Sequence, residues 1–166
     1  MIVADTSILS TFARIGRLDL LFAVAETDAL HLSPAVVKEL QAGLNKGLEF
    51  LQPIVAGLDS GMKFYPTTLT SDEKALIETL PNSLNAGERE RIAICSQRDG
   101  GKLLTNDKRA HNYCRENQLP SLDLKLILRQ LWKAGHCRKV EVRSLMNEIE
   151  KKEPGMVIKG KSEILR

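Results

Sequence analysis

The 166-residue chain is predicted to fold as a three-layer α/β/α domain around a central parallel sheet of four or five strands. Short apolar segments alternate along the chain with longer segments in which apolar residues recur at helical spacing. Helix-capping residues repeatedly precede those longer segments. Hydrophobic residues make up 43% of the chain and charged residues 27%, a composition ordinary for a globular domain with its own core.

The first strand is predicted at Met1–Ala4, where an apolar segment ends at the charge of Asp5. Apolar residues then recur at helical spacing up to Gly16, a residue that favours the end of a helix. A second short helix at 18–24 and a second strand at 29–32 follow. The opening of the chain therefore alternates strand and helix.

The next helix is predicted to begin at Ser33-Pro34, because serine is a good N-cap and proline suits the first helical position. Residues 45–61 indicate a helix pair or a loose helical insert, with breaks at Pro53 and Gly57. A further strand is predicted at 62–67.

Two capping boxes predict the starts of the next two helices. Thr70 is followed three residues later by Glu73, and Asn85 is followed in the same way by Glu88. The second of these helices is apolar around most of its circumference, which predicts that it is buried.

The last third of the chain repeats the alternation. Its predicted elements are a strand at 102–105, a helix after Asn106-Asp107, a weak strand at 119–122, a helix at 123–132 ended by Gly135, and a helix at 142–151 followed by a short arm. We expect residues 1–140 to form the main domain. Residues 141–166 are expected to add a C-terminal helix and arm that pack against it.

Four acidic residues are expected to meet at one edge of the sheet. Asp5 and Asp107 each follow a strand, and the carboxyl ends of parallel strands share an edge. Glu39 lies in the first two turns of its helix, and Glu88 opens the buried helix. Carboxylates this close repel one another unless a cation joins them, and oxygen ligands suit Mg²⁺ or Mn²⁺.

Each acid also has a purely structural explanation. Asp5 and Asp107 can act as N-caps, Glu88 belongs to its own capping box, and Glu39 can be an exposed helix residue. Glu90 is an alternative to Glu88, although it is more typical of a solvated helix residue paired with neighbouring arginines. The chemical interpretation therefore depends on the four acids together.

Other functional classes fit less well. An aromatic content of 4% argues against a base-stacking surface, and the net charge of +3 does not by itself indicate nucleic acid. The cysteines Cys95, Cys114 and Cys137 lack zinc-site spacing and indicate reduced thiols in a cytoplasmic protein. No apolar segment is long enough to span a membrane.

The Asp5-Thr6-Ser7 sequence also resembles phosphotransferases of the haloacid dehalogenase type. Those enzymes need a second aspartate two residues after the first, where this chain has Ser7. A phosphatase is therefore the least favoured enzyme class.

Four segments together resemble the PIN-domain family, and more narrowly its small prokaryotic branch near the VapC-type toxins. They are IVADTSILSTFARIGRLDLL, LSPAVVKEL, LNAGERERIAIC and KLLTNDKRAHNYC. The resemblance extends over residues 1–150. It implies a Mg²⁺- or Mn²⁺-dependent ribonuclease with a parallel sheet, helices on both of its faces and an acidic pocket.

The resemblance also implies roles for individual residues. The acids at the catalytic positions are Asp5, Glu39, Glu88 and Asp107, and metal ligation falls to Asp5, Glu88 and Asp107. The supporting residues are Thr6, Ser7, Thr105 and Asn106, and the cations expected near the RNA backbone are Arg14, Lys108 and Arg109. The expected partners are the RNA substrate, a small antitoxin protein and a second copy of the chain.

Asn106 departs from the family pattern, since related sequences often carry two adjacent acids at this point. An amide can coordinate through its oxygen but supplies no charge. This leaves open a second interpretation, in which the chain is a non-catalytic PIN module that binds RNA or a partner protein.

Overall fold

In the computed structural model, which describes residues 1–61 and 63–166, five strands form one parallel sheet in the order β3-β2-β1-β4-β5. The strands are β1 Ile2–Ala4, β2 Leu30–Leu32, β3 Phe64–Pro66, β4 Lys102–Leu104 and β5 Ser121–Leu122. The predicted fold class is thus confirmed. Met62, the first residue of the predicted 62–67 strand, lies outside the described residues.

Helices cover both faces of this sheet. They are α1 Thr6–Arg14, α2 Asp19–Ala25, α3 Pro34–Asn45, α4 Gln52–Ser60, α5 Ser71–Thr79, α6 Ala86–Gln97, α7 Lys108–Glu116, α8 Leu124–Lys133, α9 Lys139–Lys152 and α10 Lys161–Ile164, with a 3₁₀ turn at Glu49–Leu51. In the described part of the chain, no helix combines the length and apolar character needed to cross a membrane.

The alternation of side chains along each strand divides the core in two. Ala4 and Leu104 belong to a large apolar cluster that also contains residues of α1 to α4, α8 and α9. Val3 and Leu103 belong to a second cluster, with residues of α6 and α7. Successive strand residues point to opposite faces, so the two clusters lie on opposite sides of the sheet.

The strand order reverses at β1. The chain passes from β1 outward to β2 and β3 on one side, and then to β4 and β5 on the other. Val3 is in register with His31 of β2 and with Leu103 of β4. In sheets of this kind a crevice opens at the carboxyl ends of the strands where the order reverses. Here that point lies between β1 and β4.

The predicted breaks at Pro53 and Gly57 are wrong. Pro53 occupies the first turn of α4, where its missing N–H has no intrahelical partner to lose. Gly57 lies inside the same helix. The chain turns earlier, at Gly47, whose φ of +87° suits glycine.

The C-terminal helix is longer than predicted. α9 begins at Lys139, where the Glu141 carboxylate accepts from the Arg138 N–H at 2.6 Å and pairs with the Arg138 guanidinium, a contact that the sequence pattern did not reveal. The following arm contains α10, and its residues Ile158 and Ile164 are buried in the large apolar cluster. The indole N–H of Trp132 donates to the Ile164 carbonyl at 2.7 Å, which fixes the end of the chain to α8.

Candidate functional site

A polar cleft of about 380 Å³ opens at the carboxyl ends of β1 and β4. Six of the residues predicted from the sequence line it: Asp5, Thr6, Ser7, Glu39, Asn106 and Asp107. The cleft is completed by three residues that were not predicted for the site: Ser10, Asn85 and Arg91. The position of the cleft follows from the strand order, because the loops after β1 and β4 are neighbours.

Asp5 is held in place by four hydrogen-bond donors. It is the N-cap of α1, and its Oδ1 accepts from the Ile8 N–H at 2.7 Å and from the Ser7 hydroxyl at 2.9 Å. Its Oδ2 accepts from the Thr105 hydroxyl at 2.5 Å and from the Asn106 N–H at 3.2 Å. The carboxylate is only 3% exposed. Its orientation is therefore set by both α1 and the loop after β4.

Asp107 has the equivalent position at the start of α7. Its Oδ1 accepts from the backbone N–H groups of Arg109 and Ala110, at 2.8 and 3.2 Å. Its own N–H donates to the Thr105 hydroxyl at 3.1 Å. Thr105 is fully buried and bonds both to Asp5 and to the backbone of Asp107, so it connects the two acids that end neighbouring strands.

Glu88 lies behind the cleft with no exposed surface. One of its oxygens accepts from the Asn85 N–H at 2.9 Å, which completes the predicted capping box of α6. The other accepts from the Asn85 side chain at 2.9 Å and from the Arg109 guanidinium at 3.0 Å. These bonds hold the carboxyl group beside α7.

The carboxyl groups of Glu88 and Asp107 influence each other, and their pKa values are shifted in opposite directions. Burial raises the pKa of Glu88, and its hydrogen bond with Asp107 raises it further. Burial also acts to raise the pKa of Asp107, but hydrogen bonds from Glu88 and from the backbone of Ala110 and Arg109 lower it on balance. Of the two carboxyl groups, Glu88 therefore holds a proton more tightly than Asp107 does. A cation beside them would favour the charged form of both.

Glu39 reaches the cleft from α3. It is exposed, and one of its oxygens accepts a hydrogen bond from the Thr6 hydroxyl. Thr6, predicted to support Asp5, therefore bonds to a different acid. Glu90 points elsewhere: it accepts from the Ala35 N–H at 3.0 Å and forms no ion pair with a described arginine. Of the two candidates on α6, Glu88 is the one beside Asp107.

The predicted cations have three different environments. Lys108 is exposed in the first turn of α7. Arg109 is bonded to Glu88 and to the Ser83 carbonyl. The Arg14 guanidinium lies 4.1 Å from the centre of the Phe50 ring and does not line the cleft. Only Lys108 combines exposure near the cleft with a charge that no described acid pairs.

The three lining residues that were not predicted differ in how far the sequence could have indicated them. Ser10 lies one helical turn after Thr6, which places both on one face of α1. Asn85 is predicted as the N-cap of α6, and it lines the cleft because the first turn of α6 lies beside it. Arg91 lies three residues after Glu88 and is the last of four consecutive charged residues, so the sequence did not indicate that its side chain would be the one to face the cleft.

The oxygen atoms in and beside the cleft are of the types that bind Mg²⁺ or Mn²⁺, because they belong to carboxylate, hydroxyl and amide groups. Among the described residues, however, no three His, Cys, Asp or Glu side chains are arranged closely enough to hold an ion. Asp5, Glu39 and Glu88 are each bonded to neighbouring donors instead. These residues have the oxygen ligands that a divalent ion needs. To bind the ion, some of the carboxylates would have to give up their present hydrogen bonds.

The chain is similar to known proteins at the level of a protein family. A protein-family model with the description PIN domain matches residues 1–162, nearly the whole chain. No curated protein and no solved structure matches significantly. The match includes both strands that border the cleft and all four predicted acids.

Proposed function

Because the chain belongs to the PIN-domain family, we propose that it is a metal-dependent endoribonuclease. PIN domains are generally nucleases that act on nucleic acid and use divalent metal ions. The observation that carries the proposal is the connection of Asp5 to the Asp107 backbone through Thr105, at the point where the strand order reverses. Cleavage of RNA phosphodiester bonds is the reaction we assign to this cleft.

Asp5, Glu88 and Asp107 would hold Mg²⁺ or Mn²⁺, and Glu39 would complete the acidic rim. A bound ion supplies a water of lowered pKa and compensates negative charge on the phosphate. Thr105 and Ser7 would keep the Asp5 carboxylate in one orientation. Asn106 would offer an amide oxygen and the backbone N–H that already contacts Asp5.

The test is a cleavage assay on mixed RNAs with Mg²⁺, Mn²⁺ or EDTA. We expect cleavage with either metal and none with EDTA. The double variant Asp5→Asn/Asp107→Asn should lose at least about 100-fold in rate, because two carboxylate ligands become neutral. It should also lose Mn²⁺ binding measured by calorimetry.

Asp123→Asn is the matched control. Asp123 follows β5 and caps α8 by accepting from the Leu126 N–H at 2.8 Å, so its structural position parallels those of Asp5 and Asp107. It does not line the cleft. Asparagine is an equally good N-cap, so this variant should cleave as fast as the wild type. Undiminished cleavage by the double variant would show that the site is assigned incorrectly.

A non-catalytic module is the second candidate. Two points favour it: the family resemblance implies an acid where this chain has Asn106, and the described acids are not gathered into a ligand cluster. Such a module would bind RNA with an affinity that falls steeply with salt. It would show no turnover with Mg²⁺ or Mn²⁺ at any concentration, which separates it from the nuclease.

The resemblance to VapC-type toxins supports two further proposals about partners. The chain would be the toxin of a toxin–antitoxin pair, and it would form a homodimer. Expression of the chain alone should then stop growth, and co-expression of a small neighbouring reading frame should restore it. Light scattering coupled to gel filtration measures the oligomeric state.

A further inference from the structure

Arg91 is a buried cation at the acidic cleft. It lies in the second turn of α6, is only 5% exposed, and lines the cleft together with Asp5, Glu39 and Asp107. The side chain of a helical residue extends back over the preceding turn. Its guanidinium accordingly reaches Gly87, where an added Cβ would lie 3.2 Å from the Arg91 Nη1 atom.

No described residue pairs with this guanidinium. Arg91 forms no side-chain hydrogen bond and no ion pair with any residue in 1–61 or 63–166, and its Nε is buried without an acceptor. Arg98 and Arg109, by contrast, each bind a carboxylate. The Nε atoms of Arg14 and Arg89 are also buried without an acceptor, but of these three arginines only Arg91 lines the cleft. An unpaired polar group is costly to bury, and an anion in the cleft could bond to this guanidinium.

The acids of the cleft do not serve as that partner, because none of their oxygens forms an ion pair or hydrogen bond with Arg91. Asp5 accepts from four donors, Glu39 from Thr6, and Asp107 from the start of α7. The donors of Arg91 are therefore left for an acceptor that enters the cleft. A guanidinium forms a planar fork that matches two oxygens of a phosphate group.

We propose that Arg91 is the phosphate-binding residue of the cleft, positioned to hold a phosphate of the RNA backbone beside the acids. The identity of the ligand as RNA rests on the proposed function, whereas the affinity for a phosphate group does not. Gly87 leaves room for the guanidinium, and the walls of the cleft keep it out of bulk water. Both features favour a strong charge-assisted bond to an anion.

Thermal unfolding in EDTA with inorganic phosphate as the probe tests this assignment without metal or cleavage. Phosphate at ten times its Kd should raise the Tm of the wild-type protein by about 4 °C over chloride at equal ionic strength. Arg91→Met should remove this shift. Arg91→Lys keeps the charge but loses the fork, so it should bind phosphate about tenfold more weakly.

Arg143→Met controls for net charge. Arg143 is an exposed residue of α9 and does not line the cleft, so its loss should leave the phosphate shift unchanged. A wild-type Tm that does not respond to phosphate, or an equal response in Arg91→Met, would overturn the proposal. If Arg91→Met does not fold, the comparison of Arg91→Lys with the wild type decides the question in the same way.

The outcome is separable from that of the cleavage assay. Loss of the phosphate shift in Arg91→Met, with no cleavage by the wild-type protein in Mg²⁺ or Mn²⁺, would support a phosphate site and refute the nuclease. Cleavage that depends on Asp5 and Asp107, with a phosphate shift unaffected at Arg91, would support the nuclease and refute this inference.

Discussion

Glu73 and Arg98 form an ion pair with two short contacts, in which the acid is buried and the guanidinium is half-buried. Both guanidinium contacts are short, with Nε at 2.6 Å and Nη2 at 3.0 Å from the two Glu73 oxygens. Glu73 also belongs to the capping box of α5, and Arg98 ends α6 and donates to the Thr68 carbonyl. The pair joins the start of α5 to the end of the helix that carries Glu88 and Arg91.

Glu73→Gln is expected to destabilise the protein by about 3 kcal/mol at pH 7, because it leaves Arg98 without its counter-charge. Glutamine preserves the capping box, so the loss isolates the ion pair. Urea denaturation of both proteins measures the difference. Glu141→Gln, which removes an exposed acid paired with Arg138, should have a much smaller effect.

The same pair predicts a pH dependence. The hydrogen bond from Arg98 lowers the pKa of Glu73 below its ordinary value of 4.5, so the folded state binds this proton less tightly than the unfolded state. The stabilisation is therefore complete above pH 4.5 and is lost as the pH falls through the lower pKa of the folded state. The free energies of unfolding of wild type and Glu73→Gln should converge in that acidic range.

The individual residues of the site differed in how far sequence alone predicted them. Asp5, Asn85 and Asp107 act through bonds to residues two or three positions away, and such local patterns can be recognised directly. Arg91 is distinguished by the absence of a hydrogen-bond or ion-pair partner among the described residues. The absence of a partner depends on where the acceptor groups of the whole fold lie, and residue spacing in the sequence cannot predict it.

Helix α6 packs against the sheet with an unusually close approach between its Cys95 carbonyl and Gly101. Gly101 precedes β4, and a Cβ at this position would lie 2.0 Å from the carbonyl oxygen of Cys95 in α6. The clash involves backbone on both sides, so it cannot be relieved by a side-chain rotation. The spacing between α6 and β4 sets where Glu88 and Arg91 meet the cleft.

Gly101→Ala is therefore expected to lower the free energy of unfolding by about 3 kcal/mol. Gly135→Ala is the comparison: its φ of +81° disfavours alanine, but no atom lies within 4 Å of an added Cβ. That variant should cost only about 1 kcal/mol. Equal losses, measured by chemical denaturation, would show that the close approach does not constrain the fold.

The elements were predicted most reliably where a cap and a periodic apolar pattern agreed, as at Ser33, Thr70 and Asn85. The errors arose where one residue was given a fixed meaning. Proline breaks a helix only in its interior, and Pro53 stands in the first turn of α4. The start of α9 lies earlier than predicted because Arg138 is not an N-cap residue type, and only Glu141, which accepts from the Arg138 N–H, marks this helix start.

For the whole molecule, sequence predicted the parallel sheet but not its strand order. The acids could be assigned to strand ends, because periodicity locates each strand. That β1 is central, with β4 beside it, depends on which way each crossover turns. The structure shows that Asp5 and Asp107 are neighbours, because β1 and β4 are paired.

The charge near the cleft predicts a salt dependence of RNA binding. In EDTA, Lys108→Gln should reduce the slope of log Kd against log salt concentration by about 1, since one phosphate contact is lost. Lys133→Gln is the control, because Lys133 and Lys102 line a different cavity, at the amino end of β4. Fluorescence anisotropy with a labelled RNA gives both slopes. Identical slopes would place the RNA elsewhere on the surface.

The central position of β1 has a consequence during synthesis. The bond between Thr105 and Asp5 joins residues 100 positions apart, so the first strand leaves the ribosome long before its partner β4 exists. A chain arrested before β4 contains Asp5 but neither Asp107 nor the hydroxyl that orients Asp5. A growing chain therefore cannot assemble the cleft, and the activity proposed for it would begin only after translation has passed β4.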